Sequence, residues 1–263
     1  MSTVDLGLTG KRALVLSSSR GLGRAVAESL AAEGADVALT ARSADQLKAV
    51  MGGINAKGRG RAYSIVADLG RDAERIYLHA KDLLGGIDIL VANTGGPPAG
   101  TALAVKPEQW TPQFEAIVVP IFTIAGLVLP GMRERGFGRI LTIASTSVQQ
   151  PLPNLVLSNA LRSSIVGWAK TLSAEVAKDG ITVNLVLPGR IQTDRTGELD
   201  TANAKAQGKT VEQITEAMLA SIPAGRYGRV DEFADVVCFL ASERPSYITG
   251  SMIRVDGGAV RHV

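Results

Sequence analysis

The chain has 263 residues, 46% hydrophobic and 20% charged, with 28 basic against 25 acidic side chains and a formal net charge of +3. That length and apolar content suit one large core. Charges of both signs are interspersed, with no long basic run, so no nucleic-acid-binding face is expected. Cys238 is the only cysteine, which excludes an internal disulfide; it lies in an apolar run and reads as a core residue. His79 and His262 stand far apart with no cysteine near either, so no zinc-type metal site is expected. The apolar stretch 13–16 is too short for a signal segment or a membrane span, and a cytoplasmic location without membrane association is expected.

In chain order, strand-length apolar runs fall at 12–16, 36–40, 61–66, 87–92, 138–143, 182–187 and 252–255. Several are apolar without alternation, as parallel strands covered on both faces are. Helical patterns begin near Gly23, Asp45, Asp72, Pro107, Asn154 and Val230. There is no linker, repeat or low-complexity stretch. The alternation predicts a single α/β domain over residues 1–263, a Rossmann-like doubly wound parallel sheet.

The first strand runs into Ser17, Ser18, Ser19, Arg20, Gly21, Leu22 and Gly23, and then into a helix carrying Val26 and Leu30. Glycines at a strand-to-helix turn let backbone N–H groups approach a phosphate at the helix N-terminus. At the end of the second strand, sites for NAD usually place a carboxylate that holds the ribose 2′-hydroxyl. This chain has Arg42 there. With Arg20 it offers two guanidinium groups to a 2′-phosphate, which favours NADP(H) over NAD(H). Asp68, after the third strand, is either an acceptor for an adenine amino group or a surface turn residue. Asn93, Thr94, Gly95 and Gly96 follow the fourth strand, where backbone must pass close to a ribose. Pro97 and Pro98 stiffen the loop that follows.

Residues 194–226 contain no strand pattern, and Val211, Ile214, Met218 and Ile222 have helical spacing. The segment follows a strand end and Pro188-Gly189, which puts it at the carboxyl edge of the sheet, where open α/β sheets bind ligands. It is expected to cover a small-molecule substrate as a lid.

Together these pieces resemble the short-chain dehydrogenase/reductase family over nearly the whole chain. The turn Ser17–Gly23 is similar to the family's glycine motif, with Leu16 and Ser17 where the family has Thr and Gly. Asp68 matches its adenine-binding Asp, and Asn93 and Gly95 its Asn-Asn-Ala-Gly. Pro188, Gly189, Ile191 and Thr193 match a Pro-Gly motif whose Thr contacts the nicotinamide amide, and the run 226–258 its C-terminal signature. The resemblance implies a homotetramer or a homodimer. It also implies a Ser that positions the carbonyl, a Tyr that donates the proton, a Lys four residues later and a supporting Asn. Ser145 keeps the first role; Ser158 stands at the Tyr position, Arg162 at the Lys position and Ile117 at the Asn position.

That change alters the chemistry. A phenol has a pKa of about 10, within tuning range of neutrality. An alkyl hydroxyl needs an adjacent base, and a guanidinium is too firmly protonated to be one. Loss of general acid catalysis removes about 10²–10⁴-fold of rate without forbidding reduction, since water can give the proton. The spacing of Ser158 and Arg162 sets both on one helix face. Arg162 then suits an anionic substrate group, or else is a surface residue. Three activities fit: an NADP(H)-dependent oxidoreductase of altered mechanism, a non-catalytic dinucleotide-binding sensor or scaffold, or a dehydratase or isomerase on the same fold.

Overall fold

Apolar runs without alternation become strands with both faces covered. The computed structural model describes residues 5–262. The elements run β1 (Arg12–Val15), α1 (Gly21–Ala32), β2 (Asp36–Ala41), α2 (Ala44–Asn55), β3 (Ala62–Val66), α3 (Leu69–Leu84), β4 (Ile89–Ala92), α4 (Trp110–Ile117) and α5 (Val119–Arg135). They continue with β5 (Gly138–Ile143), α6 (Val156–Val176), β6 (Ile181–Pro188), α7 (Asp194–Gln207), α8 (Val211–Ser221), α9 (Val230–Ala241) and β7 (Met252–Val255).

The strands form one parallel sheet in the order β3-β2-β1-β4-β5-β6-β7. Alternate residues feed two cores. Leu14 and Leu90 face one core with Ile121, Ile124 and Ile165 from α5 and α6. Ala13, Val15 and Val91 face the other with Val26, Leu30, Phe233 and Val237 from α1 and α9. The central strands β1, β4, β5 and β6 are thereby buried on both faces, while the edge strands β3 and β7 are partly exposed. The chain reverses its direction of travel across the sheet at β1, so the crevice between the carboxyl ends of β1 and β4 is the ligand-binding switch point of a doubly wound fold.

Three differences from the sequence reading have local causes. The helical pattern from Pro107 is not one helix: α4 ends at Ile117 and α5 begins at Val119, because Pro120 has no N–H to continue the first helix but fits the first turn of the second. By length and composition the stretch Pro107–Arg135 is long and apolar enough to cross a membrane. Here its residues Ile121, Ile124, Ala125, Val128 and Met132 pack into the core. The fourth strand starts at Ile89 rather than at 87, and the side chain of Asp88, just before it, forms ion pairs with Arg12 and Arg135. The first half of the 194–226 segment is also helical, as α7, and packs on α8.

Asp88 is only 5% exposed, and it takes hydrogen bonds from Arg12 Nε and Nη2 and Arg135 Nε, each at 2.8 Å. Burial pushes its carboxyl up, but the Arg12 hydrogen bond and charge, with Arg135, outweigh burial and hold it below the usual carboxylate range. A group lowered in this way stabilises the fold above its ordinary value, and that contribution is lost as pH falls through the lowered one. Asp88→Ala is therefore expected to cost about 2–3 kcal/mol in urea unfolding near neutral pH, discounted for the partial exposure of both arginines, with the deficit narrowing in acid. An unchanged midpoint would contradict the role given to this carboxylate.

Candidate active site

The phosphate cradle is built at the end of β1. Ser17 has φ +49°, the left-handed region that favours glycine, at the position where the family resemblance puts Gly. Its backbone N–H donates to Thr40 Oγ1 (3.2 Å), and its carbonyl accepts from Asn93 Nδ2 (3.1 Å). Asn93 thus ties the β4 loop to the glycine turn. Ser18 is fully buried, donating from Oγ to Val15 O (2.9 Å) and accepting from Thr40 N (3.0 Å). At Gly23 a Cβ would fall 2.5 Å from Ser17 O and 2.7 Å from Asn93 Nδ2, so only glycine fits. The helix begins at Gly21, two residues before the expected start, and its entry has no side-chain cap and no acid in the first turn. The N–H groups of that turn, flanked by the half-buried Ser19 and Leu22, are open to an anion. These features fit a dinucleotide pyrophosphate.

The two arginines expected to hold a 2′-phosphate differ. Arg42 is exposed and enters no ion pair among the described residues. Arg20 pairs with Glu198 of α7, with Nη1 3.2 Å from Oε1. Asp68 caps α3, accepting from Gly70 N at 3.0 Å through Oδ1. At the far side, Pro188 closes β6 against Val255, and Gly189 donates to Val255 O (2.9 Å). A Cβ on Gly189 would lie 2.7 Å from Asp256 Cα. Ile191 is buried and pairs with Gly228, while Thr193 caps α7 and lies 3.8 Å from where a Cβ on Gly21 would stand. The Pro-Gly segment and the glycine turn therefore close on the same crevice.

The candidate catalytic residues lie near the carboxyl ends of β4 and β5. Ser145 follows β5, and its Oγ accepts from Ser147 N at 3.1 Å, which leaves its own O–H free to donate. Ser158 is half-buried in α6 and makes no side-chain hydrogen bond among the described residues. Arg162, one turn on, is buried at 8% exposure. It donates from Nη1 to Ile143 O (3.0 Å) and from Nη2 to Gly95 O (3.2 Å), so it is not a surface residue. Burial, and secondly the like charge of Arg195, pull its guanidinium down to about 10, still cationic at neutral pH. Ile117 is buried in the core and offers no polar atom. The four tyrosines lie elsewhere: Tyr63 in β3, Tyr77 in α3, and Tyr247 wholly exposed. The fourth, Tyr227, gives its proton to Asp200 Oδ2 at 2.9 Å, and burial and that carboxylate push its pKa up.

Sequence reasoning missed the residues that join α7 and α8 to the end of β6. Arg190 at the end of β6 pairs with the buried Asp200 of α7 and donates to Met218 Sδ of α8 (3.3 Å). In the first turns of α7, Arg195 pairs with Glu198 (3.4 Å) and its guanidinium comes within 3.4 Å of a Cβ position on Gly96. The three-residue spacing of Arg195 and Glu198 signals a helix face, but only once the segment is known to be helical.

A family model described as Enoyl-(Acyl carrier protein) reductase matches residues 16–260. The 3-oxoacyl-[acyl-carrier-protein] reductase FabG of Escherichia coli is 35% identical over 253 residues, covering 96% of this chain and 98% of that protein. The enzyme of the same name from Vibrio cholerae is 37% identical over 255 residues, with the same coverage. L-Sorbose reductase from Gluconobacter frateurii, solved with NADPH and L-sorbose, superposes with a TM-score of 0.93 at 32% identity, over 99% of this chain and all of that one. YwfH, an NADPH-dependent reductase involved in bacilysin biosynthesis, gives a TM-score of 0.91 at 28% identity, over 96% of this chain and all of that one. The chain belongs to the short-chain dehydrogenase/reductase family of oxidoreductases.

Two substitutions test the cradle. Ser17→Gly relieves the left-handed strain and is expected to stabilise the fold by about 0.5–1 kcal/mol in thermal or urea melts. Gly23→Ala forces the turn apart by overpacking and is expected to weaken NADPH binding by roughly tenfold or more in a fluorescence titration. Native affinity in the Gly23 variant would remove the turn from the cofactor site.

Proposed function

We propose that the protein is an NADP(H)-dependent oxidoreductase of altered mechanism, interconverting a carbonyl and an alcohol on a small, anionic substrate. The observation that carries this reading is Ser145: its Oγ is held by a backbone N–H while its own proton stays free for a carbonyl oxygen, beside a complete phosphate cradle. Bound there, NADPH supplies a hydride to the carbonyl carbon. Ser145 orients the carbonyl, and the proton reaches its oxygen from Ser158 or from water. Arg162 stabilises the negative charge that develops on that oxygen. Ser158 and Arg162 replace the phenol and ammonium of the family pattern, so a slower reaction of the same class is expected. The NADPH named with two of the solved relatives supports the cofactor, as does the free guanidinium of Arg42. The assembly we infer is a homotetramer or homodimer, in the cytoplasm.

A second reading, a dinucleotide-binding protein without turnover, is favoured by one observation. Arg162 spends two donors on backbone carbonyls, and the Ser158 hydroxyl has no hydrogen-bond partner among the described residues.

The test is NADPH and NADH oxidation against a panel of carbonyl compounds, native protein beside the double variant Ser158→Tyr, Arg162→Lys. The native protein is expected to turn over with NADPH, and the variant to do so faster. Turnover by the variant alone would overturn the catalytic reading in favour of the second. Arg42→Ala should raise the KM for NADPH by about ten- to a hundredfold and leave that for NADH unchanged, since a hydrogen bond to a charged group is lost. Equal effects on both cofactors would refute the 2′-phosphate role.

A further inference from the structure

Two cations converge on one glycine pair. From α6, Arg162 Nη2 lies 3.2 Å from Gly95 O. From α7, the Arg195 guanidinium stands against Gly96, 3.4 Å from where a Cβ would be. Burial first, and the like charge of Arg195 second, act against the charge of Arg162. Glu198 is the acid at hand, and it is already shared between Arg195 and Arg20. Glu198 is thus occupied by two exposed arginines, and no acid pairs with Arg162 among the described residues.

The other buried arginine shows what a satisfied one looks like. Arg139 donates to Ser242 O (2.9 Å), Gly138 O (2.8 Å) and Gly180 O (3.1 Å). It lies 4.2 Å from the Phe137 ring centroid, and Glu243 supports its charge. Arg162 has two carbonyls, no aromatic face and no acid among the described residues. A buried cation without a counter-ion is costly unless something brings the charge. Close by, Thr94 Oγ1 is buried without a hydrogen-bond partner. One bond of Arg162 goes to Ile143 O, two residues before Ser145, so an anion at its guanidinium lies next to the reacting carbonyl.

We propose that the Gly95–Gly96 turn, hydrogen-bonded by Arg162 from α6 and approached by Arg195 from α7, is a carboxylate-binding subsite, and that the substrate is a carbonyl compound bearing a carboxylate beside the reacting carbon. The location of the reacting carbon rests on the oxidoreductase reading; the subsite itself does not. The lid carries half of the site through Arg195, so the anion draws α7 down over the substrate.

The test is calorimetric titration with benzoylformate and with its neutral methyl ester, with and without saturating NADP+, on the native protein, Arg195→Gln and Arg162→Lys. The native protein is expected to bind the acid about ten- to a hundredfold tighter than the ester. Arg195→Gln, a change on the exposed lid face, should bring the two to near parity by weakening the acid. Arg162→Lys, which keeps a charge but loses the fork, should keep part of the preference. Equal binding of acid and ester by the native protein, or no binding of the acid, overturns the subsite. So does an Arg195→Gln variant that loses NADP+ but keeps the preference, since the pair would then serve the cofactor phosphates. Turnover separates the two claims. Selective binding of the acid without NADPH oxidation supports the subsite and defeats the redox reading, whereas equal turnover of acid and ester defeats the subsite alone.

Discussion

A buried guanidinium joins two strand ends, and the site takes its shape from that join. Arg162 links the carbonyl of Ile143, the last residue of β5, to that of Gly95 in the loop after β4. Those are neighbouring strands on one side of the switch point. On the other side, Asn93 links the same loop to the left-handed Ser17 of the glycine turn. The β4 loop is thus held from both flanks by side-chain donors on backbone carbonyls. Its far end is also tied down, because Gly100 exchanges hydrogen bonds with Asn154 and Val156 at the start of α6. The helix that carries Ser158 and Arg162 and the loop that faces it are one hydrogen-bonded unit.

Arginine at this position changes more than the charge. An ammonium is a point donor on a flexible stem; a guanidinium is a planar fork that can bridge two acceptors while keeping further donors. It gives the site a fixed cation but no proton to exchange. Ile117 and Val118, buried beside α5, offer no polar side-chain atom to the site. Positive charge and orientation are what the residues offer, and both act on an anion more strongly in a partly buried crevice than in water.

Much of the fold was legible because parallel strands need apolar runs, and the runs at 36–40, 138–143 and 252–255 sit where the strands are. The cradle was legible from Gly21 and Gly23 between a strand and a helix. Side-chain partners were not. The contact of Arg20 with Glu198 depends on a long-range approach of 178 residues. Asp88 sat inside an apolar run and was counted as strand. The α4–α5 break was written in Pro120, but periodicity alone runs straight through it. Helix α7 was obscured by its polar surface: of its residues only Asp200 and Ala204 are buried, so it lacks the apolar stripe that marks a helix in sequence.

The central claim is that hydride moves in a site whose fixed charge is Arg162 and which has no phenol. It is tested most directly by a single turnover of the native protein with benzoylformate and NADPH deuterated at the transferable ring position. Deuterium on the carbinol carbon of the product is the expected result. NADPH that binds to the protein and keeps its label would contradict the claim.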